Sequence, residues 1–221
     1  DLRVLDGGGL TVEVFGSGDG GSIRVAADVV SLIGTTTPPG KPTFLSAIFA
    51  RTDAAGDAGR IGIDTRVLEL RGGGQISTSA RAGSSGSSNL IRVNAAETIL
   101  VEGGVSAQTG FFPSGLLSNT LGTGVAGLLQ LRADELRVEN RGRISASTLN
   151  PNAQSSGGLD FTVNRLVLDG GAEIVVGTFA EAGSGADVVV SEFEVVLLRN
   201  GSVITAEAFN SANGGNVRLE S

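Results

Sequence analysis

The sequence predicts an all-β protein in which short strands stack in register as a parallel β-solenoid of about seven coils. Three observations carry this. An aliphatic pair spaced two residues apart recurs along the whole chain. A glycine-rich corner follows each pair, and a further aliphatic residue returns eight positions after the first. Alternation with period two is a strand signal, clusters of Gly, Asn, Asp and Ser are turn signals, and self-similarity over a few tens of residues marks a repeat architecture.

The register can be followed copy by copy. Leu2, Val4 and Leu10 open it; Leu68, Leu70 and Ile76, then Leu136, Val138 and Ile144, then Leu166, Leu168 and Ile174, then Val195, Leu197 and Val203 repeat it. Two copies deviate. Val30 and Leu32 are followed by the insertion TTTPPGKPTFLS before the pattern resumes at Ile48, and Ile99 and Val101 reach Val105 through a shorter turn. A closing strand recurs as Ile23/Val25, Ile61/Ile63, Ile91/Val93, Leu129/Leu131, Phe161/Val163, Val188/Val190 and Val217/Leu219, in steps of 38, 30, 38, 32, 27 and 29 residues. The stretch VAGLLQLRADELRVEN has some helical character. Its leucines nevertheless fall on the strand register, so it reads as two strands and a corner.

An antiparallel sandwich does not require the same repeat positions to stay apolar; a solenoid does, because like positions lie over one another at about 4.8 Å. The preserved register therefore favours the solenoid, with a rod section of about 34 Å for seven coils at that spacing. Leu2, Val4, Leu68, Leu70, Leu136, Val138, Leu166 and Leu168 are the expected core ladder, joined by Leu10, Val12, Ile23 and Val25. Arg3, Thr11, Glu13 and Arg24 are expected to face water. Gly8, Gly20, Gly73, Gly103, Gly157, Gly170 and Gly214 are expected at corners that need positive φ or a missing side chain. Residues 1–221 read as one domain with corner insertions at about 35–46 and 110–124. The series opens in a strand at Leu2 and closes in one at Val217–Leu219, which predicts uncapped ends: an excerpt of a longer solenoid, or a subunit stacking head to tail.

Composition narrows the function. Only 4% of residues are aromatic, all of them Phe, whereas 35 are Gly, so the core must be built from small aliphatics. Cys is absent, which removes disulfides and thiolate metal sites, and Met is absent even at position 1, which points to a processed or excised segment. No stretch approaches the ~18 uninterrupted apolar residues that span a membrane, and no leader pattern is present, so any export signal lies outside these residues. A net charge of −7 with Lys41 as the only lysine argues against nucleic acid and anionic membrane surfaces as partners.

His, Tyr and Trp are absent too. That excludes histidine acid–base catalysis, the commonest zinc ligands and the usual sugar-stacking platforms. Asp6, Asp28, Asp53, Asp57, Asp134, Asp160, Asp169 and Asp187 occupy different repeat positions, so paired catalytic carboxylates are not expected. GSGDGG at 16–21 is a lone near-match to calcium-binding nonapeptides and reads as a corner; DGGG at 6–9 lacks the following helix a phosphate site would need. The outward Ser and Thr residues form no regular ladder of the kind that binds ice. No catalytic residue, metal or cofactor is therefore expected.

The interaction candidates are the two insertions: Pro38, Pro39, Pro42 and Phe44 in the first, and Phe111, Phe112, Leu116, Leu117 and Leu121 in the second. Exposed apolar patches mark interfaces, although such loops can also cover their own chain. The outward position of the first pair reads Arg3, Ser31, Glu69, Leu100, Arg137, Val167 and Val196, turning apolar toward the C-terminus. This adds Val167 and Val196 to the candidates.

The segments LELRGGGQISTSA, LRVENRGRISAST and LVLDGGAEIVVGTF, each followed by a Gly corner and NLIRVNAAE, GGLDFTVN or GADVVV, resemble the repeat regions of filamentous-haemagglutinin-like proteins. These are large bacterial surface proteins exported by two-partner secretion, and the likeness is greatest to glycine-rich cyanobacterial members. The resemblance covers nearly the whole chain, but the N-terminal secretion domain is not matched. It implies a right-handed parallel β-helix forming the shaft of an adhesin or extracellular filament. The resulting expectation is a structural, non-catalytic segment at the cell surface or outside the cell. Its partner would be itself, end to end or side by side, with surface or matrix polysaccharide as a further ligand. The alternative is a β-helix module that binds or processes polysaccharide.

Overall fold

The computed structural model describes residues 1–107, 110–181 and 184–221, and among these residues there are strands and no helix. The strands follow in the order β1 (Leu2–Leu5), β2 (Gly9–Val14), β3 (Ser22–Ile33), β4 (Thr35–Thr36), β5 (Phe44–Leu45), β6 (Ala47–Thr52), β7 (Arg60–Arg71), β8 (Gln75–Ala80), β9 (Ile91–Glu102) and β10 (Gly104–Ala107). They continue as β11 (Gly110–Pro113), β12 (Gly115–Thr120), β13 (Leu129–Glu139), β14 (Arg143–Ser145), β15 (Leu159–Asp169), β16 (Glu173–Thr178), β17 (Val188–Ser191), β18 (Val195–Leu198), β19 (Val203–Ala208) and β20 (Val217–Glu220). The chain alternates between two parallel sheets. The larger has nine strands in the order β1-β3-β7-β9-β13-β15-β17-β20, with β18 also beside β15; the smaller has seven in the order β19-β16-β14-β12-β8-β6-β2. This arrangement is that of a β-helix or solenoid.

Like residues stack as the alternation requires. One inward row of the larger sheet runs Leu2, Val30, Leu68, Ile99, Leu136, Leu166 and Val196. A second runs Ile23, Ile61, Ile91, Leu129, Leu159, Val188 and Val217. The smaller sheet contributes Leu10, Ile48, Ile76, Leu116, Ile144, Ile174 and Ile204. In the middle of these rows Leu68, Ile99, Leu136, Leu166, Ile76, Leu116 and Ile144 are all completely buried. Each such aliphatic side chain contributes about 1.5–3 kcal/mol of transfer free energy. No single coil encloses them, so stability resides in the interfaces between coils.

The corner leaving the larger sheet is built from two successive left-handed residues. Asp6–Gly7, Gly72–Gly73, Asn140–Arg141, Gly170–Gly171 and Asn200–Gly201 all have positive φ at both positions. Asp and Asn tolerate that region through local hydrogen bonding; an arginine there is uncommon. The turns stack as ladders of their own: the Asn140 N–H donates to the Asp169 carbonyl at 2.9 Å, and the Gly171 N–H to that of Asn200 at 3.0 Å. At a second corner the demand is space rather than φ, since a Cβ on Gly157 would collide with the Gly127 carbonyl. Of the glycines expected to need positive φ or a missing side chain, Gly73, Gly103 and Gly170 have positive φ, Gly20 and Gly157 leave no room for a Cβ, and Gly8 and Gly214 show neither demand.

The structure corrects the predicted register in four places. The closing pair after Leu129/Leu131 is Leu159/Phe161, not Phe161/Val163, and the steps become 38, 30, 38, 30, 29 and 29 residues. The last copy is Val196, Leu198 and Ile204, which pair with Leu166, Leu168 and Ile174; Val195, Leu197 and Val203 lie one residue out of that frame. Val105 is not in the core row, because Leu116 takes that place between Ile76 and Ile144. The supposed corner within 125–140 is a bend inside the continuous strand β13, whose pairing with β15 runs through it.

Both long steps are caused by antiparallel hairpins at the same corner. β4 pairs with β5, and β10 with β11. The second insertion is therefore Gly104–Pro113, and residues 115–120 of the expected 110–124 loop are a regular strand. Residues of each hairpin lie against the turns of neighbouring coils. Thr36 and Phe44 face Gly7, while their neighbours Thr35 and Leu45 face Gly73. Val105 meets Gly73 from the other side, and Phe111 carries the Arg141 guanidinium 3.8 Å from its ring centroid. A Cβ added to Gly73 would lie 2.8 Å from Thr35 Cγ2 and 3.1 Å from Val105 Cγ1, so the turn fits only because it is bare.

Candidate functional site

The structure buries some of the interface candidates and leaves others exposed. Leu116 is completely buried in the core, Leu117 is half-buried on the outer face of β12, and Leu121 is exposed. Phe111 and Phe112 are half-buried against their own chain; Pro38 is half-buried, and Pro39 and Phe44 are exposed. Val167 is buried, and Val196 belongs to the inward row through its pairing with Leu166, so neither presents a free outer surface. Of the expected core ladder, Leu2 is half-buried on the outermost strand, and Val4, Leu68, Leu70, Leu136, Val138, Leu166 and Leu168 are buried.

Several concave surfaces lie among the described residues, including one on the outer face of each sheet. The first is a polar groove of about 320 Å³ on the outer face of the larger sheet, lined by Arg92, Asn94, Gln130, Arg132, Asp160 and Thr162. Its side chains are occupied with one another along the rod: the Arg92 guanidinium donates to Gln130 Oε1 at 2.8 Å, and the Gln130 amide to Asp160 at 3.5 Å.

The second is a trough of about 430 Å³ where the first hairpin overhangs the smaller sheet. Phe44 and Leu45 form one wall. The floor carries Phe49 and Ser77 from one outward row, and Arg51 and Ser79 from the next; Gln75 and Arg81 close the ends. Arg51 is pinned to Glu13 at 2.6 Å and lies 5.6 Å from the Phe49 ring centroid, which holds both the ring and the guanidinium in place. Arg81 pairs with Asp53 at 3.5 Å. Sequence reasoning singled out Phe44 alone among these residues, because the others come from three separate strands.

The acidic residues serve the ladders. Asp28 accepts from Arg66 at 3.0 Å, and Arg66 reaches Glu97 on the next rung at 2.9 Å. Those hydrogen bonds hold the Asp28 carboxyl below its usual range and push Arg66 up. Asp169 is lowered chiefly by the Asn200 amide, with Arg199 assisting; Asp187 is lowered by the backbone and side-chain N–H groups of Asn216, with the Arg218 charge assisting. Asp57 accepts from the Ser87 N–H at 2.8 Å, and Asp134 from Asn164 at 3.2 Å. Among the described residues no three His, Cys, Asp or Glu side chains form a group that could hold a metal ion. No helix is long and apolar enough to cross a membrane.

The inward rows lie open at both ends of the described structure. Leu10 is exposed and Leu2 only half-buried at one end, and Leu198, Val217 and Leu219 are exposed at the other, although Leu168, Val188 and Val190, one rung inside, are completely buried. Comparison with protein-family models, curated proteins and solved structures gave no match.

Proposed function

We propose that the chain is a right-handed parallel β-helix of about seven coils, acting as a structural, non-catalytic segment of an extracellular filament or surface adhesin. The observation that carries this reading is the continuity of the apolar rows. Each core position repeats on every rung, and the outermost rungs display the same residues that are sealed inside. A further rung in the same register would cover Leu198, Val217 and Leu219 and would satisfy the free strand edge. In this reading it comes from more of the same repeat or from the opposite end of a second copy. The buried hydroxyls also serve architecture: Thr148 and Thr178 bond each other at 3.0 Å, and Ser88 and Ser118 accept from the Gly127 N–H.

Electron microscopy of the purified chain tests it. Rods that join end to end, with an axial repeat near ~34 Å per copy at 4.8 Å per rung, are expected. Monodisperse globules at all concentrations would overturn end-to-end assembly. A second reading, contact with polysaccharide, is favoured by one observation: the trough places two phenylalanine rings beside hydroxyl, amide and guanidinium groups.

A further inference from the structure

The trough under the first hairpin, unlike the groove on the larger sheet, is walled by an insertion and not by ladder side chains alone, and its composition points to a ligand class. Resting on the polysaccharide reading above, we propose that it binds an uncharged oligosaccharide, with Phe44 and Phe49 as apolar platforms and Gln75, Ser77, Ser79 and Arg81 as hydrogen-bonding partners. Four features converge. The volume of about 430 Å³ lies within the range of small-ligand sites. Phe44 is 45% exposed on a hairpin strand whose backbone lies against Gly7, so its ring faces water. A sugar ring presents just such a pair of surfaces: a C–H face for an aromatic ring and a rim of hydroxyls that both donate and accept. Ser77 and Ser79 give hydroxyls of the same kind, two residues apart on one face of β8, and Gln75, whose Nε2 donates to the Pro113 carbonyl at 2.9 Å, adds its amide oxygen two residues before Ser77.

The charge balance selects among saccharides. Both guanidiniums at the trough already face carboxylates, Arg51 with Glu13 and Arg81 with Asp53. The whole chain carries −7, which disfavours polyanions. A neutral glycan meets neither penalty. The outward rows of the smaller sheet also continue beyond Ser77 and Ser79 as Leu117 and Asn119, leaving an open path for a chain longer than the trough itself.

The test is isothermal titration of the intact chain with three neutral hexasaccharides (cellohexaose, xylohexaose and mannohexaose) and with hexagalacturonate. At least one neutral hexasaccharide is expected to bind. The double substitution Phe44→Ala/Phe49→Ala should weaken it about tenfold. Ser77→Leu fills the floor from a half-exposed outward position. It provides a second test should the double variant fold poorly, and it should weaken binding by a similar factor. Absence of binding by every neutral hexasaccharide at millimolar concentration overturns the proposal, as does preference for hexagalacturonate. Binding that is indifferent to both variants removes this site while leaving the polysaccharide reading intact. Capture of a protein partner at the trough instead of a glycan would also overturn it.

Discussion

Leu168 and Leu198 occupy the same inward row, one rung apart, and differ only in what lies above them. Leu168 is completely buried between Val138 and Leu198, whereas Leu198 is 40% exposed. Truncating either to alanine removes the same three carbons. At Leu168 the lost transfer free energy is about 2.4 kcal/mol at ~0.8 kcal/mol per CH₂ group. The rows above and below are held by backbone ladders and cannot close the gap, so a cavity term brings the total to about 3–4 kcal/mol. At Leu198 only some three-fifths of that transfer energy is at stake and solvent fills the space, giving about 1.5 kcal/mol or less. Urea denaturation followed by far-ultraviolet circular dichroism reads the difference as a shift in midpoint. Native-state hydrogen exchange locates it, since β13, β15 and β16 should lose protection in Leu168→Ala and only β18 and β19 in Leu198→Ala. Equal destabilisation by the two substitutions would refute the idea that stability is a sum of coil–coil interfaces.

Other consequences follow from particular contacts. Gly73→Ala must place a Cβ at positive φ between Thr35 and Val105, and should cost about 2 kcal/mol, read as a lower melting temperature. Replacing residues 102–115 with the sequence of 71–75 should delete the second hairpin, keep Leu116 in its row and leave the melting temperature within a few degrees; a molten product would show that the hairpin is part of the core. Asp169 and Asp187 have depressed folded-state pKa values, so their stabilising effect is complete above the unfolded carboxylate value near 4 and is lost as pH falls through the lower folded values. Thermal melting should therefore be flat from about pH 5 to 8 and fall below about pH 4, and Asp169→Asn should reduce the acid-induced drop.

The parallel stacking could be read from the sequence because side chains of like chemistry must recur where coils stack. What escaped was register in the stretches where more apolar residues follow one another than the core pair needs. VVLL at 195–198 fits either of two frames, and LDFTV at 159–163 fits two as well. The left-handed turn pair resolves the first: it begins two residues after the second core residue at Val4, Leu70, Val138 and Leu168, and Asn200 stands at that distance only from Leu198. Glu192, with φ of 61°, lies in the break between β17 and β18, which holds one residue more than the stretch of β15 it faces. The second hairpin was hidden because GFFPSGLL looks like one apolar loop, although Leu116 continues the core row within it. The trough could not be read at all, since Phe44, Phe49 and Ser77 lie on three different strands and meet only through the stacking itself.

The central claim is that successive turns of the chain lie over one another in parallel and in register. The absence of cysteine makes it directly testable. Arg132 and Thr162 are paired on neighbouring rungs of the outer face, whereas Arg24 lies in that sheet several rungs away. With a short thiol-reactive crosslinker, Arg132→Cys/Thr162→Cys should link within one chain in high yield and Arg24→Cys/Thr162→Cys should not. Equal yields from the two pairs, or linkage of the distant pair alone, would contradict the parallel in-register rod.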